Sequence, residues 1–324
     1  MRSIVRSALG PQIADYLTLK KALGRRYANE SEVLKHLDRF LADRRLSALT
    51  PDAFTDWCLT YAHVTPTVRR TRMRIVRNFC CYLRRSDRDC FVPDPTGFPD
   101  PHAPRRPYIF SEEQIGRLLH VATRLPARST SPLRAAVFRV AIVLLYTLGL
   151  RRGELVRLKM SDYDAAEQTL LVRKSKFHKS RVVALSKSAA QEMERFLRQR
   201  RRLRHGPDNP LLVNNYHGLS AYSGGSFGLA LRTLFRMAGV RTPEGRAPRV
   251  HDLRHTFAVH ALLRWYRAGV DVQAKLPALS NAMGHVSVTS TAYYLSLLAP
   301  VMEVASARFD RHCRQIVPSL RGGR

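Results

Sequence analysis

Gly149-Leu150-Arg151-Arg152-Gly153-Glu154-Leu155 interrupts the most apolar part of the chain. Upstream of it, the pattern over residues 135–148 predicts a buried helix, which Gly149 ends or turns sharply. Downstream, Arg151 stands at the start of a further helix. Helix N-termini and guanidinium forks both favour phosphate oxygens. Glu154 lies three residues on, on the same helical side, and can hold a neighbouring cation in place. Taken alone, Arg-x-x-Glu is also the spacing of an ordinary surface ion pair.

Three further patches accompany it. Residues 169–173 and 181–185 read as two short strands, with Lys174-Ser175-Lys176-Phe177-His178-Lys179 at the tip between them. A lysine on such a hairpin can reach into a groove and deliver a proton, although an ordinary polar turn has the same composition. In His251-Asp252-Leu253-Arg254-His255, His251 and Arg254 share a helical face and can address one phosphate together. His251 and His255 also have the four-residue spacing of a helical zinc pair. The Glu of a metalloprotease signature is missing between them, so no metal is expected and His255 reads as structural. The last patch, Met283-Gly284-His285-Val286-Ser287-Val288-Thr289-Ser290-Thr291-Ala292-Tyr293-Tyr294, runs from a glycine-histidine turn to two tyrosines.

Farther out, Ser111-Glu112-Glu113-Gln114 is a capping box before Ile115, Leu118 and Leu119. Six prolines between Phe91 and Pro107 predict an extended linker, neither helix nor central strand. The expected division is a helical domain over 1–90, a linker over 91–107, a larger domain over 108–300 and a helix or tail over 301–324. In the first part, Thr50-Pro51 is a good helix start. A second helix is expected over about 67–85, with Ile75, Val76, Phe79, Cys80 and Leu83 at helical spacing. Its other faces carry Arg69, Arg70, Arg72, Arg74 and Arg77. They form either a solvated basic face or a contact surface for a polyanion. The run Arg198-Gln199-Arg200-Arg201-Arg202-Leu203-Arg204 reads as a basic helix end.

Charge points the same way. The 324 residues hold 55 Lys and Arg against 25 Asp and Glu, a formal net charge of +30. Residues 1–107 carry 20 basic and 11 acidic side chains, and residues 108–324 carry 35 and 14, so both parts suit one polyanion. A membrane is not expected, since the apolar stretch 137–150 is short and contains Arg139. Nor does the N-terminus read as a secretory signal. The 5 cysteines form no CxxC pair, which fits a reducing cytoplasm and neither a disulfide frame nor a zinc site. There is no GxxxxGK[ST] sequence and no convincing acidic triad, which argues against ATP use and two-metal phosphoryl transfer.

Together the patches resemble the tyrosine recombinases, the lambda-integrase-like family. That family's signature is an arginine in Gly-Leu-Arg-x-x-Glu-Leu, a hairpin lysine, His-x-x-Arg, Leu-Gly-His and a tyrosine nine residues after the last histidine. The matching positions are Arg151, Lys176, His251, Arg254, His285 and Tyr294. The nine-residue interval selects Tyr294 over Tyr293, which is read as a packing residue. Met283 replaces the family's leucine, and the interval from His251 to His285 is long, with the extra length expected in 265–279 as a helix pair or loop. Lys174 and Lys179 compete with Lys176, which the register against Arg181-Val182-Val183-Ala184-Leu185 favours.

The resemblance implies a mainly α fold with a small β-sheet, in which an N-terminal helical core-binding (SAM-like) domain and a catalytic domain clamp DNA. It further implies a site-specific recombinase working through a 3′-phosphotyrosine, with no cofactor. Its expected partners are duplex DNA with inverted half-sites and further copies of the chain, four in the synaptic complex, or a partner recombinase. Arg151, Arg254 and His285 would hold the phosphate, His251 would take the tyrosine proton, Lys176 would protonate the 5′ oxygen, and Glu154 would orient His251 or an arginine. The Leu276-Pro277-Ala278-Leu279 segment and the long interval resemble recombinases encoded by transposable elements. A type IB topoisomerase and a DNA-binding accessory protein without catalysis are the competing readings. The first would relax supercoils without joining two sites.

Overall fold

Local signals fix several helix ends. The Thr50 hydroxyl accepts the Ala53 amide at 3.2 Å and opens Pro51–Leu59 (α3), with proline at a position that needs no amide donor. It follows Gly10–Ala22 (α1) and Ala28–Asp43 (α2), and precedes Pro66–Leu83 (α4). In this computed structural model the described residues are 6–25, 27–101, 105–173, 180–201, 206–215, 217–285 and 287–297. The chain divides into two units, Met1–Arg105 and Arg106–Arg324. Both are mainly helical, and the second carries small sheets.

In the first unit α1–α4 enclose Leu34, Leu37, Leu41, Trp57, Val76 and Phe79. The described residues of the proline-rich segment lie outside helix and strand except for one short turn. Pro95–Gly97 form a 3-10 turn, Phe98 is buried in this same core, and Phe91 and Val92 pack against it. Apolar side chains between the prolines thus tie much of the segment to the helices before it.

The second unit opens with the capping box. Ser111 Oγ accepts the Gln114 amide at 3.1 Å, Gln114 Oε1 accepts the Ser111 amide at 3.0 Å, and Glu112–Thr123 (α5) follows. Arg134–Leu148 (α6) is buried on nearly all sides and packs against α5, Lys187–Arg200 (α8) and Val250–Arg267 (α10). Arg139, within this apolar helix, donates to Glu192 of α8 at 2.8 Å. Arg152–Leu155 (α7) is a single turn. Tyr163–Asp164 (β1), Thr169–Val172 (β2) and Arg181–Ala184 (β3) form an antiparallel sheet in the order β1-β2-β3, with Leu171 opposite Val182. A second antiparallel pair, Val213–Asn215 (β4) and Ser220–Ala221 (β5), precedes Gly224–Met237 (α9). The long interval after His251 is a helix pair, α10 and Val272–Met283 (α11), and Pro277 lies inside α11 without ending it. Thr289–Ala292 (α12) and a 3-10 turn over Tyr293–Leu297 close the described part. No helix among the described residues is long and apolar enough to cross a membrane.

Gly149 turns the chain from α6 into α7 with φ 59°, a left-handed conformation. A Cβ there would lie 2.3 Å from the Phe257 ring of α10. Gly149→Ala therefore meets both a backbone penalty and an overpacked contact. It is expected to lower unfolding free energy by about 2–4 kcal/mol, read as a shift in the urea midpoint at unchanged slope. An unshifted midpoint would mean that the Phe257 ring yields freely.

Candidate active site

Three consecutive carbonyls at the end of α11 gather three arginines. Ala282 O accepts from Arg181 Nε at 2.9 Å, Met283 O from Arg254 Nη2 at 2.7 Å, and Gly284 O from Arg151 Nη2 at 2.9 Å. The last carbonyls of a helix lack intrahelical donors, and its negative end favours cations. Gly284 makes the turn possible, with φ 65° and a hydrogen that leaves room for Arg181. A Cβ at that position would stand 2.7 Å from Arg181 Nη1.

Arg254 is 1% exposed and also donates to Gly149 O at 2.5 Å, so it joins the α6–α7 turn to the end of α11. Burial, then the neighbouring Arg151 cation, lowers its pKa to about 10. Arg151 Nη1 donates to Glu154 Oε1 at 2.8 Å, and its backbone amide donates to Glu154 Oε2 at 2.9 Å. Arg181 grips the same carboxylate with both terminal nitrogens, at 3.2 and 2.9 Å. Burial alone would raise the Glu154 pKa. The Arg181 and Arg151 hydrogen bonds outweigh it and hold the group at about 2. Glu154 thus binds Arg151 and Arg181.

Tyr294 is 2% exposed, and its hydroxyl lies 3.1 Å from His255 Nδ1. His285 stacks on its ring with centroids 6.2 Å apart and an interplanar angle of 10°. His285 Nδ1 in turn lies 2.7 Å from the buried Thr291 hydroxyl. Burial raises the Tyr294 pKa, while Arg254 and Arg151 pull it down. His255 is pushed down to about 3, first by burial and then by His251 and nearby arginines. His285 is pushed down to about 4, first by burial and then by Arg254. His251 packs its ring at right angles to His255, centroids 4.7 Å apart, and keeps an edge open to solvent.

Arg151, Arg254, His251, His285, Tyr294 and Glu154 thus come together around the ends of α6 and α11 and the start of α10. Lys176 lies outside the described residues, as does the tail over 301–324. His255, read as structural, meets the tyrosine hydroxyl. Tyr293, read as a packing residue, is 47% exposed, with its ring centroid 6.1 Å from that of Tyr294. In the sequence, Arg181 carries only a strand signal. Its pairing with Glu154 spans 27 positions, beyond any local signal. Of the five arginines on α4, Arg70 donates to Phe98 O and Pro99 O at 3.2 and 3.1 Å. Arg72 stands 4.0 Å over the Tyr61 ring, Arg69 and Arg77 are half-buried, and Arg74 is exposed.

Residues 109–299 match the phage integrase family. The integrase/recombinase y4rB of Sinorhizobium fredii is 32% identical, covering 92% of this chain and 96% of its own length. The tyrosine recombinase XerD of Brucella suis is 31% identical over 72% of each chain. In fold, the chain is similar to the XerH recombinase in its post-cleavage complex with palindromic difH. There the TM-score is 0.62 at 18% identity, covering 86% of this chain and 78% of that one. The Tn1549 transposon integrase in complex with transposon right end DNA gives 0.61 at 17% identity, covering 93% and 98%. The chain belongs to the phage integrase family: it is a tyrosine-class, site-specific DNA recombinase.

Proposed function

We propose that Tyr294 is the nucleophile of strand cleavage. The observation that carries this is the setting of its hydroxyl, 3.1 Å from His255 and in the field of Arg254 and Arg151, nine positions after His285. Arg151 and Arg254 would hold the non-bridging oxygens of the scissile phosphate, with a further bond from His285. The tyrosine O–H bond breaks as Oη attacks phosphorus in line. The P–O5′ bond breaks behind it, and the leaving oxygen takes a proton from Lys176. The tyrosyl proton passes to the histidine pair, His255 or His251. The product is a 3′-phosphotyrosine, and attack by a 5′-hydroxyl of another duplex reverses the step without ATP.

Duplex DNA with inverted half-sites is the substrate in this reading. Residues 1–90 and 108–300 act as the two jaws of a clamp joined by 91–107, with the α4 arginines on the DNA side. Four copies of the chain, or copies with a partner recombinase, assemble for exchange. The relatives include a transposon integrase, and a mobile-element role is the reading favoured here. The test is to mix the protein with supercoiled DNA from its own element in EDTA, quench in SDS and map the adduct by peptide mass spectrometry. A phosphonucleotide on the Tyr294 side chain is expected. Attachment elsewhere would remove the assignment.

A further inference from the structure

We propose that Arg181 is a positioning residue of the recombinase site, holding Glu154, and through it Arg151, against the turn that carries His285. The inference rests on the reading of Arg151 and Tyr294 given above. Arg181 is the first residue of β3, its side chain is 13% exposed, and all three of its guanidinium nitrogens are engaged. Two form a fork on the Glu154 carboxylate, and the third donates to Ala282 O. A bidentate arginine–carboxylate pair fixes angle as well as distance. Glu154 then fixes Arg151 through both its side chain and its backbone amide. The strand that follows Lys176 is therefore pinned to the same carboxylate as the phosphate-binding arginine. Two ion pairs on one carboxylate, with the bonds to Ala282 O and Gly284 O, relate β3, Arg151 and the Met283–His285 turn.

The charged groups facing Glu154 are Arg151 from its own turn, Arg181 from β3 and, more distantly, Arg254 from α10. Arg181 supplies the largest of the interactions that lower its pKa, against a burial that raises it. Without the Arg181 charge the carboxyl loses the largest of these interactions and its pKa rises, while the Arg151 hydrogen bonds still hold it down. A carboxylate acts only while ionised. Its hold on Arg151 is present above its pKa and lost as pH falls through it. In the wild type that loss lies near pH 2, and in a variant without the Arg181 charge it moves to higher pH.

The experiment compares Arg181→Gln and Arg181→Lys in single-turnover adduct formation on a nicked suicide substrate from pH 5 to 8. DNA affinity and thermal melting are measured alongside. Both variants lose the fork, and only Gln loses the charge. Cleavage near pH 7.5 is expected to fall by about 10²-fold in Gln and less in Lys, with DNA affinity within about twofold. The distinguishing result is a new acid limb in Gln, absent in Lys and wild type. A residue needed only for packing would lower both variants alike at every pH, and that outcome overturns the inference. So does a wild-type rate in Arg181→Gln. If Gln does not fold, Glu154→Gln serves, and the inference then requires a reduced rate without any new acid limb. Wild-type adduct mapped away from Tyr294 would refute the nucleophile assignment, while the Gln–Lys contrast still judges Arg181.

Discussion

Tyr294→Phe will abolish the SDS-stable protein–DNA adduct while leaving the fold and DNA binding close to wild type. The substitution removes one oxygen from a ring that is otherwise packed by His285 and His255, so the ring stays in its place. The lost hydrogen bond to His255 costs about 1 kcal/mol of stability, too little to unfold the unit. Chemistry suffers without limit, because no bond to phosphorus can form. Tyr293→Phe is the control. Its ring is 47% exposed, and the same deletion there should leave the adduct yield unchanged. Gel shift at fixed salt separates the two effects, since binding is dominated by charge that neither change touches. An adduct that survives Tyr294→Phe and vanishes in Tyr293→Phe would exchange their roles.

Arg254→Ala has the next largest expected effect, and it acts on stability and cleavage together. The guanidinium is buried and serves Gly149 O and Met283 O, so its removal leaves two buried acceptors bare. Each bare acceptor costs about 1–3 kcal/mol, and the melting temperature should drop by roughly 4–24 °C. Losing a preorganised donor for developing phosphoryl charge should lower cleavage by about 10³-fold. Arg254→Lys divides the two. An ammonium group keeps the charge but cannot span both carbonyls and still offer a fork to phosphate. Lys should regain most of the melting temperature and little of the cleavage. Equal recovery of both would place the role of Arg254 in the fold alone.

Much of this site is legible in the sequence because its parts are short and local. Ser111 and Gln114 announce a helix start within four residues, and the structure forms both of their hydrogen bonds. The order of Arg151, His251, Arg254, His285 and Tyr294 is likewise readable, each in a motif of a few positions. What these groups touch is less so. His255 and Tyr294 are 39 positions apart, and only the packing of α10 against the 3-10 turn brings them together. Helical spacing puts His251 on a face with Arg254, and the family resemblance makes it the tyrosine's partner. That argument orders residues along one helix and says nothing about which of its faces the tyrosine approaches. The β4–β5 pair went unread for a related reason. Strands of two and three residues carry too little alternation to stand out, and their pairing depends on a turn.

Beside the Glu154 carboxylate, the anchors of the arginine cluster are peptide carbonyls, which no single substitution can delete. Side chains along α11 can therefore drift while the three guanidiniums keep their acceptors, so long as the helix stops where it does. The vulnerable quantity is phase. Ending α11 one residue early or late would turn the terminal carbonyls by about 100° and offer the arginines a different set. A one-residue insertion or deletion within 278–283 should for that reason damage the site more than most replacements there.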